Sequence, residues 1–123
     1  MKSFLLSTLA CLLSLPTLFA QNIENIALLS QKEYDVNLSD IWGYTDENGR
    51  EYALVGLTTG TSIVDLDDPR NPVEISFIKG GSSIWKDIKT YGNKAYVTGE
   101  YGEGLQIIDL SNLPNAVDST QFY

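Results

Sequence analysis

The chain has 123 residues, a formal net charge of −8 and no histidine, and its one cysteine, Cys11, lies in an apolar N-terminal stretch. These features exclude a triad that uses histidine and leave no His/Cys set for a zinc site. Lysine and arginine never cluster, so we expect no nucleic-acid partner, because such binding requires a concentrated basic surface.

Residues 1–20 have the organisation of a cleavable signal peptide. Lys2 gives a positive start, residues 4–15 are almost entirely apolar, and Pro16 and Ala20 fit a cleavage site. The apolar stretch is shorter than the roughly 20 residues that span a bilayer, which favours cleavage over an uncleaved membrane anchor. We therefore expect an exported protein, extracellular or at the cell surface, without membrane insertion after signal removal and without disulfides.

The rest of the chain begins with a lead-in, residues 21–39, in which residues 26–34 are predicted to form one strand. Two similar segments follow, which we assign as a first repeat, residues 40–86, and a truncated second repeat, residues 87–123. The first elements of the two repeats are offset by 47 residues, from Asp40 to Asp87. A period of roughly 40–50 residues made of short strands is typical of propeller repeats.

Each repeat is predicted to contain about four short strands. Residues 52–57 and 95–98 are rich in side chains that pack well on a pleated surface. Residues 63–64 and 107–108 place apolar groups on both faces of a strand, which is typical of a strand covered on both sides. Residues 73–78 alternate between apolar and polar, which predicts a half-exposed outer strand.

Turn formers separate these strands. Asn48 and Gly49 tolerate positive φ and predict a hairpin, and Gly92 with Asn93 has the same part in the second repeat. Residues 68–72 contain two prolines and predict a turn. The sequence thus predicts an all-β fold of propeller-like four-stranded repeats, with about two blades present.

A propeller needs about four to eight blades to close. Two blades would leave an apolar face and an unpaired edge exposed. We therefore expect a fragment of a larger propeller, and keep self-assembly or pairing with another chain as alternatives.

Residues 105–109, Leu-Gln-Ile-Ile-Asp, resemble the LVIVD repeat motif of bacterial surface proteins, and residues 61–65 keep its Ile-Val-Asp part. Together with residues 40–44, 68–73 and 83–89, these runs make the chain similar to the choice-of-anchor B family. The resemblance implies secreted or surface-displayed proteins with propeller-like repeats and differing C-terminal anchors, and it assigns no catalytic residues.

Three groups of residues are candidates for chemistry. Asp65, Asp67 and Asp68 supply closely spaced hard oxygens, as calcium prefers. They lack the spacing of an EF-hand, and Asp65 capping the turn that follows its strand explains the same residues. We therefore expect no cofactor.

Trp42 and Trp85 each lie next to an isoleucine, near the start of a repeat. They could contact a carbohydrate or peptide partner, since an amphipathic ring stacks on such ligands. The alternative, which the repeat positions favour, is packing between blades.

Four aspartates recur in the repeats: Asp40, Asp65, Asp87 and Asp109. Paired carboxylates serve glycosidases, but acid and base roles require different environments. Because Asp40 and Asp87 are equivalent, we interpret them as structural residues that bond backbone amides.

These observations favour a non-enzymatic interaction module that presents loops, such as residues 45–50 and 99–104, to a protein or glycan partner. The alternative is a fragment of a secreted propeller hydrolase whose catalytic residues lie outside this chain. A third interpretation is a structural spacer between an anchor and another domain.

Overall fold

Eight β-strands and no helix form the secondary structure of residues 26–100, 104–115 and 117–122, the part of the chain that the computed structural model describes. The first sheet contains, in spatial order, β1 (Leu38–Thr45), β2 (Glu51–Leu57), β3 (Gly60–Asp65) and β4 (Val73–Lys79). The second contains β5 (Lys86–Tyr91), β6 (Lys94–Gly99), β7 (Leu105–Asp109) and β8 (Asp118–Phe122).

Both sheets are antiparallel throughout, which confirms the predicted all-β class. The predicted signal peptide lies outside the described residues. Within the described ranges, no helix is long and apolar enough to cross a bilayer.

Hairpins join consecutive strands within each sheet, as the turn residues predict. Gly49 lies in the β1–β2 loop with φ of +84°, and Gly92 lies in the β5–β6 turn with φ of +57°. Both values belong to the left-handed region, where a side chain is disfavoured and glycine is not. The turn at residues 68–72 is also present, closed by the Asn71 amide on the Asp68 carbonyl at 3.0 Å.

The lead-in differs from its prediction, because residues 26–37 contain no strand. Residues 26–32 lie 47 positions before β4, the offset between the first elements of the two repeats, so they stand where the outer strand of a preceding sheet would be. A strand exists only by pairing with a neighbour's edge. This segment instead crosses a face of the first sheet, where the Ser30 hydroxyl donates to the Pro69 carbonyl at 2.7 Å.

The two sheets stack on different faces. We call "front" the face of the first sheet that bears Trp42, Leu54 and Ile63, and "back" the face that bears Ile41 and Val55. The pairing register assigns the same two faces to the second sheet, since Ile88 pairs with Val97 as Ile41 pairs with Val55.

The front of the first sheet packs on the back of the second. Their shared core contains Tyr52, Leu54, Ile63 and Ile78 from the first sheet and Ile88, Ala95, Val97 and Ile108 from the second. Apolar burial of this kind drives the association of sheets. A smaller cluster of Val55, Leu57 and Val64 lies on the back of the first sheet, partly covered by Tyr34 and Leu66.

Candidate functional site

Hydrogen bonds lock the start of the second sheet onto the first. The Asp40 carboxylate accepts the Ile88 backbone amide at 2.7 Å, and the Ser39 hydroxyl accepts the Lys86 amide at 2.6 Å. Both amides belong to β5, at the edge of its sheet. Asp40 therefore fixes the position of one sheet against the other.

Trp42 lies between the two sheets. Its indole Nε1 donates to Thr90 Oγ1 at 2.9 Å, and the Lys89 ammonium lies 4.5 Å from the ring centroid. The ring is partly buried against the shared core. Trp42 therefore packs between the two sheets and makes a cation–π contact with Lys89.

Trp85 has a different environment, although both tryptophans follow an isoleucine near the start of a repeat. It lies in the linker between β4 and β5 with 62% of its surface exposed, next to exposed Ile84. Its backbone is held by Ser83, whose hydroxyl accepts the Trp85 amide at 3.0 Å. Its ring is open to solvent at the end of the molecule opposite the β1–β2 and β5–β6 loops.

Asp65 and Asp109 end equivalent strands and make equivalent contacts. Each carboxylate accepts the amide two residues on, Asp67 at 2.9 Å and Ser111 at 3.0 Å. Asp65 also pairs with the Arg50 guanidinium, whose Nε lies 3.1 Å from both carboxylate oxygens. The hydrogen bonds from Arg50 lower the pKa of Asp65.

In the second repeat, Lys94 pairs with the strand-end aspartate as Arg50 does in the first. The Lys94 ammonium lies 2.8 Å from the Asp109 carboxylate and, with Ser111, holds the pKa of Asp109 well below its usual range. Both side chains are about two-fifths exposed, 41% for Lys94 and 42% for Asp109. Water therefore screens this pair more than the pair in the first repeat.

The candidate calcium ligands point to other partners. Asp65 is engaged by Arg50, Asp67 lies 3.7 Å from the same guanidinium, and Asp68 accepts the Arg70 amide at 3.0 Å. In the part of the chain that is described, no group of three or more His, Cys, Asp or Glu could hold a metal ion.

Asp87 is equivalent to Asp40 and is placed on the open front of the second sheet. Its side chain is 66% exposed, and its carboxylate lies 2.5 Å from the Lys89 ammonium. The two carboxylates therefore do not converge on one site.

A polar cleft lies between the β1–β2 and β5–β6 hairpin loops. It has a volume of about 460 Å³ and is lined by Tyr44, Thr45, Asp46, Glu47, Gly92 and Asn93. The sequence points to the first loop as a binding loop but does not predict its juxtaposition with Gly92 and Asn93. Only the stacking of the sheets brings these loops together, and no local sequence pattern encodes it.

The first of these loops is held rigidly by Asp46. Its carboxylate accepts the Asn48 amide at 2.8 Å, the Arg50 amide at 3.0 Å and the Tyr52 hydroxyl at 3.2 Å. The backbone bonds lower the pKa of Asp46, whereas burial and the adjacent carboxylate raise that of Tyr52 to about 12. Asp46 is thus a structural anion that ties the loop to the buried Tyr52.

A second polar cluster lies on the back of the first sheet. The Ser62 hydroxyl is buried and is shared between the Tyr34 hydroxyl at 2.9 Å and the Glu74 carboxylate at 2.5 Å. Partial burial raises the pKa of Tyr34. This cluster fastens the lead-in to the sheet and leaves Ser62 no open path to a substrate.

Comparison of the chain with family models, with curated proteins and with solved structures finds no match in any of the three. The similarity to LVIVD-type repeats therefore depends on the residues quoted for it above.

Proposed function

We propose that this chain is a non-enzymatic interaction module built of LVIVD-type propeller repeats, exported to the cell surface, which binds a protein or glycan partner through its hairpin loops. The observation that carries the proposal is the cleft of about 460 Å³ that loops of two different sheets form together. Export is inferred from the sequence of residues 1–20.

The propeller architecture is supported by how the sheets approach each other. The first sheet contributes β1 and β2 to the close approach, and the second contributes its first strand, β5. Equal four-stranded sheets that stack front on back around their first strands are the arrangement of propeller blades. The LVIVD-like runs, residues 61–65 and 105–109, fall on β3 and β7, which are equivalent.

Rigidity of the loops supports binding. The three bonds to Asp46 fix the β1–β2 loop before any ligand arrives. On the other side, the Asn93 carbonyl accepts the Leu110 amide at 2.8 Å. Ordering a loop in advance reduces the entropy that a complex must overcome.

The chemistry of the cleft fits a polar, uncharged or basic ligand. The Tyr44 ring offers an amphipathic surface, and Glu47 and Asn93 offer a carboxylate and an amide beside it. The nearby carboxylates would repel an anionic ligand. A hydroxyl-rich sugar ring or a basic peptide side chain meets these requirements.

The acid–base chemistry of the cleft favours binding over catalysis. A glycosidase acid needs a raised pKa so that it holds its proton at neutral pH. Asp46 has the opposite shift, caused by its backbone hydrogen bonds. Its oxygens are also engaged by the loop that they hold.

The test is binding of the purified protein to an array of neutral and anionic glycans and of surface proteins. For the best partner, we expect Glu47→Gln and Asn93→Ala to weaken binding at least about tenfold, since each removes a polar contact. Trp85→Ala, at the opposite end, should leave binding unchanged. A partner that depends on Trp85 but not on Glu47 or Asn93 would refute the proposed site, and turnover of a bound glycan would favour the hydrolase alternative.

A further inference from the structure

The chain already contains one contact between a front face and a back face, and this contact shows what each face requires. The front supplies Asp40, which accepts the Ile88 amide, and an apolar surface that includes Leu54 and Ile63. The back supplies that amide and the buried side chains of Ile88 and Val97. The two surfaces are different, so the contact is head-to-tail.

One face of each kind remains open at its first strand in the described part of the chain. The back of the first sheet exposes 66% of Ile41 on β1, beside an apolar cavity of about 310 Å³ that is lined by Val55 of the sheet and Tyr34 of the lead-in. The front of the second sheet exposes Asp87 and 84% of Tyr91. The open back of the first sheet therefore lacks a front face to pack on, and the open front of the second sheet lacks a back face.

The two groups that form the Asp40–Ile88 hydrogen bond have counterparts on the open faces. Asp87 stands where Asp40 stands one repeat earlier. The Ile41 amide stands where the Ile88 amide stands, because Ile41 pairs with Val55 in the register in which Ile88 pairs with Val97. Amides alternate in direction along a strand, so the Ile41 amide points away from β2, as that of Ile88 points away from β6.

The lead-in covers only part of the back of the first sheet. Its Tyr34 contacts Ser62 on β3, and the chain before β5 makes an equivalent contact, where Gln106 of β7 donates to the Lys79 carbonyl at 3.1 Å. The lead-in therefore covers this face at β3 and leaves β1 uncovered, where 66% of Ile41 is exposed. Residues 26–32 occupy the place that β8 of an arriving sheet would take, and they have no strand pairing to lose.

We propose that a second copy of this chain docks head-to-tail, with its first-sheet back on the second-sheet front of its neighbour, and that Asp87 of one copy accepts the Ile41 amide of the next. Repetition of such a contact closes into a ring or continues as a filament, depending on the rotation. The inference does not depend on which ligand the hairpin end binds.

The first experiment is sedimentation velocity of the purified protein over a range of concentrations, up to about 1 mM, where even weak association is visible. We expect masses above that of the 13.6 kDa chain that increase with concentration. Asp87→Ala should weaken association about tenfold, whereas Asp68→Asn, which removes the same charge at an exposed turn, should not. A folded protein that stays a single copy throughout would overturn the proposal.

The second experiment is disulfide cross-linking of the double variant Ile41→Cys/Asp87→Cys. The two positions lie on opposite open faces of one chain, so a bond between them within a chain is excluded by the roughly 10 Å spacing of stacked sheets. We expect a ladder of covalent multimers, and none from the control pair Ile41→Cys/Asp68→Cys. Equal ladders from the two pairs would show that the cross-links do not report the proposed contact and would overturn it. An intact cellular mass well above 13.6 kDa without cross-links would show instead that a longer chain covers the face.

Discussion

Strands β3 and β7 occupy the same place in the two repeats but differ in how they are covered. Ile63 and Val64 of β3 are buried on both faces of the first sheet, whereas in β7 Ile108 is buried and Ile107 is only half-buried. At these positions the two strands carry similar side chains, Ile63 with Ile107 and Val64 with Ile108, so the difference comes from the neighbours. The first sheet has the second sheet on its front and the lead-in on its back, and the second sheet has one covered face.

The largest effect should come from truncation in the shared core. Ile63→Ala removes a side chain with 0% exposure and should lower the free energy of unfolding by about 2–5 kcal/mol. The equivalent variant Ile107→Ala should cost about 1–2 kcal/mol, because its side chain keeps contact with water. Urea unfolding of both variants measures the difference, and equal losses would show that the second front face is covered in solution.

The sequence predicted local features better than the relations between distant segments. The hairpin at Asn48 and Gly49 depends on nearby residues, and the alternation in residues 73–78 identified an outer strand. The lead-in strand failed because a local sequence pattern says nothing about whether a neighbouring edge exists. The polar cleft could not be predicted because it forms only when the two sheets stack.

The two tryptophans provide the next contrast. Trp42→Ala removes the indole bond to Thr90 and the packing between the sheets, and it should cost about 2–3 kcal/mol. Trp85→Ala should change stability by less than about 0.5 kcal/mol, as is usual for an exposed side chain. Thermal unfolding of the two variants tests this, and a large loss for Trp85→Ala would contradict the placement of its ring in solvent.

A pH experiment separates the two strand-end aspartates. The lowered pKa of Asp65 means that its ion pair stabilises the fold above the pKa of the unfolded chain, about 3.9, and that this contribution is lost as the pH falls through the folded value. Asp65→Asn should cost about 1–2 kcal/mol near pH 7, and this loss should shrink as the pH falls below about 3.9.

The matched variant in the second repeat is Asp109→Asn. The pKa of Asp109 is also lowered. Asp109→Asn should therefore also destabilise the fold near pH 7, and this loss should also shrink as the pH falls. The loss should be smaller and should shrink further in salt, because Lys94 and Asp109 are both open to solvent. Unfolding at pH 7 and pH 2, at low and high salt, distinguishes the pairs. A larger, salt-insensitive loss for Asp109→Asn would contradict the difference in exposure.

The smallest effect concerns the lead-in, which covers the back of the first sheet without forming a strand. Tyr34→Phe removes one hydroxyl and leaves the bond between Ser62 and Glu74 in place, so it should cost about 0.5–1.5 kcal/mol. Tyr91→Phe, on a ring that is 84% exposed, is the control and should have no effect. If the Tyr34 hydroxyl is what holds the lead-in, amide exchange around residues 30–36 should accelerate in Tyr34→Phe more than exchange in β2. Uniform acceleration across the first sheet would instead mean that the lead-in and the sheet unfold as one unit, and that the back face is never open while the sheet is folded.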